Sequence, residues 1–190
     1  MKWQWSENPL PTGKERLWVK TTSLKRVISM DKENIIRTAH KHDVDGMATV
    51  LNEIISIGGT TAHNCSFDHD RILNVFISPP RKISCYVACE GNHVIGFQAL
   101  EWADPNWTGE DPLPYDWAII ATYVKQSHHG RRIGRELFVE TLSAAKAAEV
   151  RCIDATIRRE NVGGLAFYAS LGFLDYKANR LTISKFHSLT

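Results

Sequence analysis

The 190-residue sequence lacks both a long apolar segment and an excess of charge of either sign. No window approaches the roughly 18 apolar residues of a membrane-spanning helix, and no apolar core of a signal peptide follows the basic start. The 23 basic and 21 acidic residues give a net charge of +2, too balanced for a general nucleic-acid binder. We therefore expect a soluble, cytoplasmic protein that binds neither membranes nor nucleic acid.

The motifs of several common enzyme classes are also missing. Neither Gly-x-x-x-x-Gly-Lys-Ser/Thr nor Gly-x-Gly-x-x-Gly occurs, which argues against nucleotide hydrolysis and dinucleotide binding. No nucleophile lies in a Gly-x-Ser-x-Gly setting. The eight histidines and four cysteines lack a recognised ligand spacing, so we expect no metal site. The cysteines lie mostly in strand-like apolar contexts, and we expect reduced thiols.

The most informative segment is Gln-Ser-His-His-Gly-Arg-Arg-Ile-Gly-Arg-Glu-Leu, residues 126–137. It follows residues 117–124, whose branched and aromatic side chains predict a core strand. It opens a stretch with apolar residues at helical spacing that ends near Glu149. Unpaired N–H groups and a partial positive charge at a helix start, combined with Gly and Arg, favour binding of a phosphate-like anion. The alternative is a solvated basic first turn of a surface helix.

A second strand and helix follow this segment. Residues 150–157 predict a strand, and residues 161–173 read Asn-Val-Gly-Gly-Leu-Ala-Phe-Tyr-Ala-Ser-Leu-Gly-Phe. Asn161 is a good N-cap for a short helix, and Gly172 suits the left-handed residue that ends it.

These two segments resemble motifs A and B of the GCN5-related N-acetyltransferase (GNAT) family. In motif A, Gln/Arg-x-x-Gly-x-Gly/Ala binds the pyrophosphate of acetyl-CoA. The six positions here are residues 129–134, with His129 where Gln or Arg is usual and Arg132 at the first glycine. The resemblance implies acetyl-CoA as co-substrate, bound by Thr122, Tyr123, Val124, His129, Gly130, Arg131, Arg132, Ile133, Gly134, Arg135 and Asn161.

The same resemblance implies individual roles. A bulge in the fourth strand near residues 122–124 would free backbone amides, and Asn161 would bond to the pantetheine arm. The Tyr168 hydroxyl would lie beside the CoA sulfur and give the departing thiolate a proton. A half-buried core tyrosine is the alternative for Tyr168.

The rest of the chain supplies the other elements of the predicted fold. Residues 34–37 predict a strand, residues 38–55 an amphipathic helix with Asp43 as its N-cap, and residues 70–77 a second helix. Residues 83–89 and 93–100 predict a hairpin, and residues 174–177 and 180–186 two closing strands.

This order is the GNAT topology, an α/β (α+β) fold. It implies a mixed, mostly antiparallel twisted sheet of about seven strands flanked by about four helices, with acetyl-CoA in the cleft between strands four and five. We expect one domain over residues 33–190, preceded by an N-terminal extension, residues 1–32.

Two short matches resemble the phosphinothricin acetyltransferase-like subgroup, which acylates the amino group of small amino acids and their analogues. They are the Gly/Thr loop of residues 57–62 and the Tyr-Asp-Trp of residues 115–117. The subgroup's fourth-strand glutamate is missing here, so Asp116 is the predicted base, with Glu101 as the alternative, either acting through a water. The predicted acceptor-binding residues are Thr60, Thr61, Trp107 and Tyr115.

The expected function is acetyl-CoA-dependent N-acetylation of a small amine, an amino acid or analogue, by direct attack without a covalent enzyme intermediate. Two alternatives stay open: an acetyltransferase of protein amino groups, and a catalytically silent acyl-CoA-binding regulatory domain. The sequence leaves the oligomeric state open, a homodimer included.

Overall fold

The computed structural model describes residues 34–109 and 112–189. The predicted N-terminal extension, residues 1–32, lies outside the described residues. The strands are β1 (Ile35–Thr38), β2 (Lys82–Glu90), β3 (His93–Trp102), β4 (Trp117–Val124), β5 (Cys152–Arg158), β6 (Leu174–Ala178) and β7 (Thr182–Ser188). The helices are α1 (Val44–Ile57), α2 (His69–Ile72, continued by a π-helical turn, Leu73–Ile77), α3 (Ile133–Ala147) and α4 (Val162–Ser170). No helix in these two ranges is long and apolar enough to cross a membrane.

The strands form one sheet in the order β1-β2-β3-β4-β5-β7-β6. Every neighbouring pair is antiparallel except β4 and β5, which run parallel. The predicted seven-stranded, mostly antiparallel α+β fold with four helices is therefore confirmed.

The two faces of the sheet bury different helices. On one face, Met47 and Leu51 of α1 pack with Phe97 of β3 and Tyr123 of β4. On the other face, apolar residues of α3 and α4 pack against alternate residues of the central strands: Ala118, Ile120, Ile153, Phe138, Ala145 and Tyr168. Successive β4 side chains thus serve two separate cores, as the alternation of a strand requires.

Asp43 occupies the predicted N-cap position of α1, but its side chain makes no cap bond to the helix. It instead accepts two bonds from the Arg37 guanidinium, both 2.7 Å, and one from the His40 N–H at 2.8 Å. Burial alone would raise the pKa of Asp43, but these donors hold it below its ordinary value. Asp43 therefore ties β1 to the turn before α1.

The parallel pair β4 and β5 separates part-way along. Its register runs only from Trp117–Cys152 to Ile119–Asp154. Beyond that rung β4 continues to Val124, while β5 stays paired with β7 as far as Arg158. The diverging strands leave a V-shaped gap in the middle of the sheet, and this is the predicted cleft between strands four and five.

Candidate active site

The gap exposes backbone groups on one side of β4. The Lys125 N–H bonds to the Ile95 carbonyl at 2.9 Å, so the odd-numbered residues of β4 exchange hydrogen bonds with β3. The N–H and C=O groups of Thr122 and Val124 consequently point toward β5, past the last paired rung. An extended amide-bearing ligand lying in the gap can pair with them as a missing strand would.

The bulge expected near residues 122–124 is wrong. The β3–β4 register is unbroken from Gly96–Val124 to Trp102–Ala118. The divergence of β4 from β5, rather than a bulge, frees the backbone groups.

The turn before α3 has the shape of an anion site. Gly130 has φ of 78° and Arg132 has φ of 65°, both left-handed. Arg132 stands where the family motif has glycine, the residue that adopts this conformation without steric penalty. At the start of α3, the Arg135 and Glu136 N–H groups bond to the Arg132 carbonyl at 2.9 and 3.1 Å, whereas those of Ile133 and Gly134 precede the first helical hydrogen bond. Ile133 and Gly134 both line the gap, so their N–H groups are the ones available to an anion there.

The three predicted arginines do not share one position. Arg132 and Arg135 line the gap, and Arg135 also donates to the Ser170 carbonyl at 3.0 Å. Arg131 points elsewhere, because its guanidinium bonds to Glu90 at 2.9 Å. The expected phosphate contact of the Arg131 side chain therefore finds no support in the geometry.

The gap between β4 and β5 opens into a cavity of about 570 Å³. Most of the predicted residues line it: Thr60, Thr122, Tyr123, Val124, His129, Gly130, Arg132, Ile133, Gly134, Arg135, Asn161 and Tyr168. His129 Nε2 lies 3.0 Å from the Val124 carbonyl oxygen, so the ring sits on one of the exposed strand groups.

The predicted acceptor residues are scattered. Thr60 lines the cavity, and Thr61 bonds to the side chain of Tyr123. Trp107 lines a different cavity, over β4 and β5. Tyr115 is 81% exposed and lines neither. The structure does not bring these four side chains together.

Asn161 has two bonds at the edge of the cleft. Its Oδ1 accepts from the Gly164 N–H at 2.8 Å, which confirms the predicted N-cap. Its Nδ2 donates to the Thr60 carbonyl at 3.0 Å, linking α4 to the loop after α1. The second amide hydrogen remains for a ligand in the gap.

Gly134 lets α3 and α4 approach closely. A Cβ built there would lie 2.8 Å from Cε2 of Phe167, well inside van der Waals contact. A substitution at this glycine would therefore push against the Phe167 ring of α4.

Tyr168 ends a chain of buried hydrogen bonds. Gln98 Nε2 donates to Thr122 Oγ1 at 2.7 Å, and Thr122 Oγ1 lies 2.9 Å from the Tyr168 hydroxyl. With Gln98 as donor, the Thr122 proton can bond to the Tyr168 oxygen, which leaves the Tyr168 proton free. Burial raises the pKa of Tyr168 although the bond to Thr122 opposes it, so the hydroxyl is neutral and able to donate.

Neither predicted base lies at the gap. Asp116 precedes β4 and lies 3.6 Å from Arg151. Strand geometry puts Asp116 about 20 Å from Thr122, too far for proton transfer through one water. Glu101 is closer to Thr122, but it lies on β3 opposite Ile119, so β4 separates it from β5 and the gap. Burial raises the pKa of Glu101.

Sequence reasoning missed two buried polar residues. Gln98 is fully buried within β3, and Asp154 is 4% exposed within β5. Their signal was a lone polar residue inside an apolar strand, which calls for a partner. No group of three or more His, Cys, Asp or Glu residues among the described ranges is placed to hold a metal ion.

The profile of the Acetyltransferase (GNAT) family matches residues 52–173, more than half of the chain. The chain belongs to this family. Among curated proteins, none matches the sequence significantly.

Solved structures of the GNAT family show the same fold. An N-acetyltransferase from Staphylococcus aureus Mu50 has a TM-score of 0.70 at 20% identity, covering 83% of this chain and 99% of its own. The PaiA N-acetyltransferase of Thermoplasma acidophilum, solved with coenzyme A, gives 0.66 at 17%, covering 82% and 99%. A protein assigned as a phosphinothricin N-acetyltransferase gives 0.67 at 19%, covering 83% and 99%. The likeness to the last agrees with the subgroup resemblance, and at these identities it establishes the fold alone.

Proposed function

We propose that this GNAT protein is an acetyl-CoA-dependent N-acetyltransferase whose acceptor is a small-molecule amine, an amino acid or analogue. One observation carries the proposal: the open backbone of β4 and the donor hydroxyl of Tyr168 face the same gap, beside an anion-binding turn. Acetyl-CoA supplies an activated thioester with a pyrophosphate and an amide-bearing arm, which matches these features in kind. A cytoplasmic location and a homodimer stay predictions.

The residues of the cleft have separable tasks in this proposal. The first turn of α3, with Arg132 and Arg135, holds the pyrophosphate. Thr122 and Val124 bond the arm through their backbone groups. Tyr168, oriented by Thr122, gives its proton to the thiolate as the thioester breaks. A neutral donor hydroxyl on the cleft lining is a group that acyl transfer requires and simple acyl-CoA binding does not, which favours turnover over a silent acyl-CoA-binding role.

The test is release of free thiol from acetyl-CoA by the full chain against a panel of amines and amino acids. The proposal expects amine-dependent thiol release, with the acetylated amine detected by mass spectrometry. Tight acetyl-CoA binding without turnover for any amine would favour the binding domain instead. Turnover only with peptide amines would favour the protein acetyltransferase.

A further inference from the structure

A second cavity, of about 780 Å³, lies on the face of the sheet opposite α3. It extends over β4, β5, β6 and β7, and its lining includes Trp117, Asp154, Thr156 and Tyr176. Apart from Arg131, the expected cofactor contacts all line the first cavity, and none lines this one, so this space is not needed for acetyl-CoA.

Asp154 stands at the point where the two cavities approach each other. It forms the last paired rung with Ile119, after which β4 and β5 diverge. Thr122 is three residues further along β4, about 10 Å by strand geometry. The charge of Asp154 also acts on the Tyr168 hydroxyl across the sheet. A ligand group bound to Asp154 is therefore close to the point where β4 and β5 begin to diverge, on the face of the sheet away from Tyr168.

The surroundings of Asp154 suit a cation. The Tyr176 hydroxyl donates to Oδ1 at 2.8 Å, and Thr156 Oγ1 lies 3.2 Å from Oδ2, so two of the roughly four acceptor positions of the carboxylate are used. Burial raises the pKa of Asp154, while both hydroxyls and the charge of Lys177 oppose that rise. Glu101, across Ile119, and Asp104, on the cavity lining, also lie near this face, but Arg81 offsets their charge: it lies 3.3 Å from the Asp104 carboxylate and its charge acts on Glu101.

Aromatic rings form one wall of the cavity. Trp117 and Tyr176 are in edge contact with centroids 5.6 Å apart, and both rings contact Phe186, at 6.1 and 5.8 Å. Aromatic faces attract cations and bury apolar surface. A buried carboxylate beside such a wall selects a ligand with an ammonium group and an apolar body.

We propose that this second cavity is the acceptor site, that it takes a primary amine with an aromatic or apolar body, and that Asp154 binds the ammonium group and removes its proton. This inference rests on the proposed function.

The proton balance of the step is complete. The ammonium gives one proton to Asp154, and the neutral nitrogen forms the C–N bond while the C–S bond breaks. The thiolate takes a proton from Tyr168, which recovers one from the acylated nitrogen. Asp154 releases its proton to solvent, so each turnover yields the amide, the free thiol and one proton.

The first test is binding without acetyl-CoA. Phenethylamine and its uncharged analogue phenethyl alcohol are titrated into the full wild-type chain, Asp154→Asn and the control Asp175→Asn, whose carboxylate on β6 pairs with Lys185 on the other face. We expect phenethylamine to bind the wild type and the control, and to bind Asp154→Asn at least about tenfold more weakly, the loss of a charge-assisted bond. Equal binding by wild type and Asp154→Asn overturns the inference.

The second test uses Tyr176→Phe, which leaves the carboxylate in place. Loss of the Tyr176 donor raises the pKa of Asp154, so the acid limb of kcat/KM should move to higher pH. An acid limb that stays in place, in a folded variant, contradicts proton removal by Asp154.

The two proposals fail in different ways. Absence of acetyl-CoA binding and of thiol release overturns the proposed function, while phenethylamine titration still decides whether the cavity takes amines. Amine acetylation with the same KM and pH profile in wild type and Asp154→Asn leaves the function standing and overturns the acceptor site.

Discussion

Replacing Gly134 by alanine tests the close contact between α3 and α4. The new Cβ would lie 2.8 and 2.9 Å from two ring carbons of Phe167, so that ring must move by more than half an ångström. Alanine gains about 1 kcal/mol of helix propensity over glycine, whereas overpacking costs about 1–3 kcal/mol. We expect a net destabilisation of up to about 2 kcal/mol.

Gly163→Ala is the matched control in α4. Its Cβ would meet nothing closer than Asn161 Oδ1 at 3.9 Å. Without a clash this change should stabilise the protein by about 0.4–1 kcal/mol. The two variants should therefore differ by about 0.4–3 kcal/mol, which at the upper end is several degrees in Tm for a chain of this size.

Thermal and urea unfolding of both variants measure this difference. The Phe167 ring also contacts Tyr168, with centroids 5.0 Å apart, so its displacement should pull the Tyr168 hydroxyl away from Thr122 and lower kcat. A Gly134→Ala protein as stable as Gly163→Ala, with wild-type turnover, would refute both the tight contact and its link to Tyr168.

Three further predictions concern single side chains. Tyr168→Phe should lower kcat far more than acetyl-CoA affinity, because the Tyr168 hydroxyl acts as the thiolate develops. The control Tyr86→Phe should keep the wild-type kcat. Equal kcat in both variants would exclude Tyr168 from the reaction. Arg132→Gly should relieve about 1–2 kcal/mol of strain in the left-handed backbone, partly offset by the larger conformational entropy that glycine has in the unfolded chain. It should nevertheless weaken acetyl-CoA binding measured by calorimetry. Unchanged affinity would exclude Arg132 from the phosphate site. Burial raises the pKa of Asp154, so the folded protein is stabilised when this carboxyl is protonated. That contribution is complete below the ordinary Asp pKa and is lost as pH rises through the raised pKa. Urea unfolding across this pH range should show the wild type losing stability relative to Asp154→Asn, and a constant difference would contradict the pKa shift.

Local rules predicted much of the fold. The order of strands and helices followed from periodicity, and the cap by Asn161 and the left-handed Gly172, with φ of 88°, followed from residue preferences. These features depend on a few neighbouring residues. They are therefore visible in sequence.

Contacts between distant residues account for the failures. Asp43 lies where an N-cap should, but Arg37 on β1 offers a charged partner at 2.7 Å, and that pairing prevails. Arg131 belongs to the basic motif, yet Glu90 at the β2–β3 turn draws its side chain away. Neither partner can be identified before the strands are placed in register.

The site also combines features that local sequence predicts with features that depend on contacts between distant residues. Tyr168 was predicted from its motif, but its bond to Thr122 joins residues 46 positions apart. Asp154 is placed by its rung with Ile119 and by the Tyr176 hydroxyl, which lies 22 positions away in sequence. Strand register, which a single sequence specifies poorly, thus decides which carboxylate lines the second cavity.

A crystal structure of the full chain with CoA would locate the cofactor directly. We expect the pyrophosphate at residues 129–135, the arm along Thr122 and Val124 in the gap between β4 and β5, and the sulfur within hydrogen-bond distance of the Tyr168 hydroxyl. CoA bound elsewhere, or a gap closed by continued pairing of β4 with β5, would contradict this prediction.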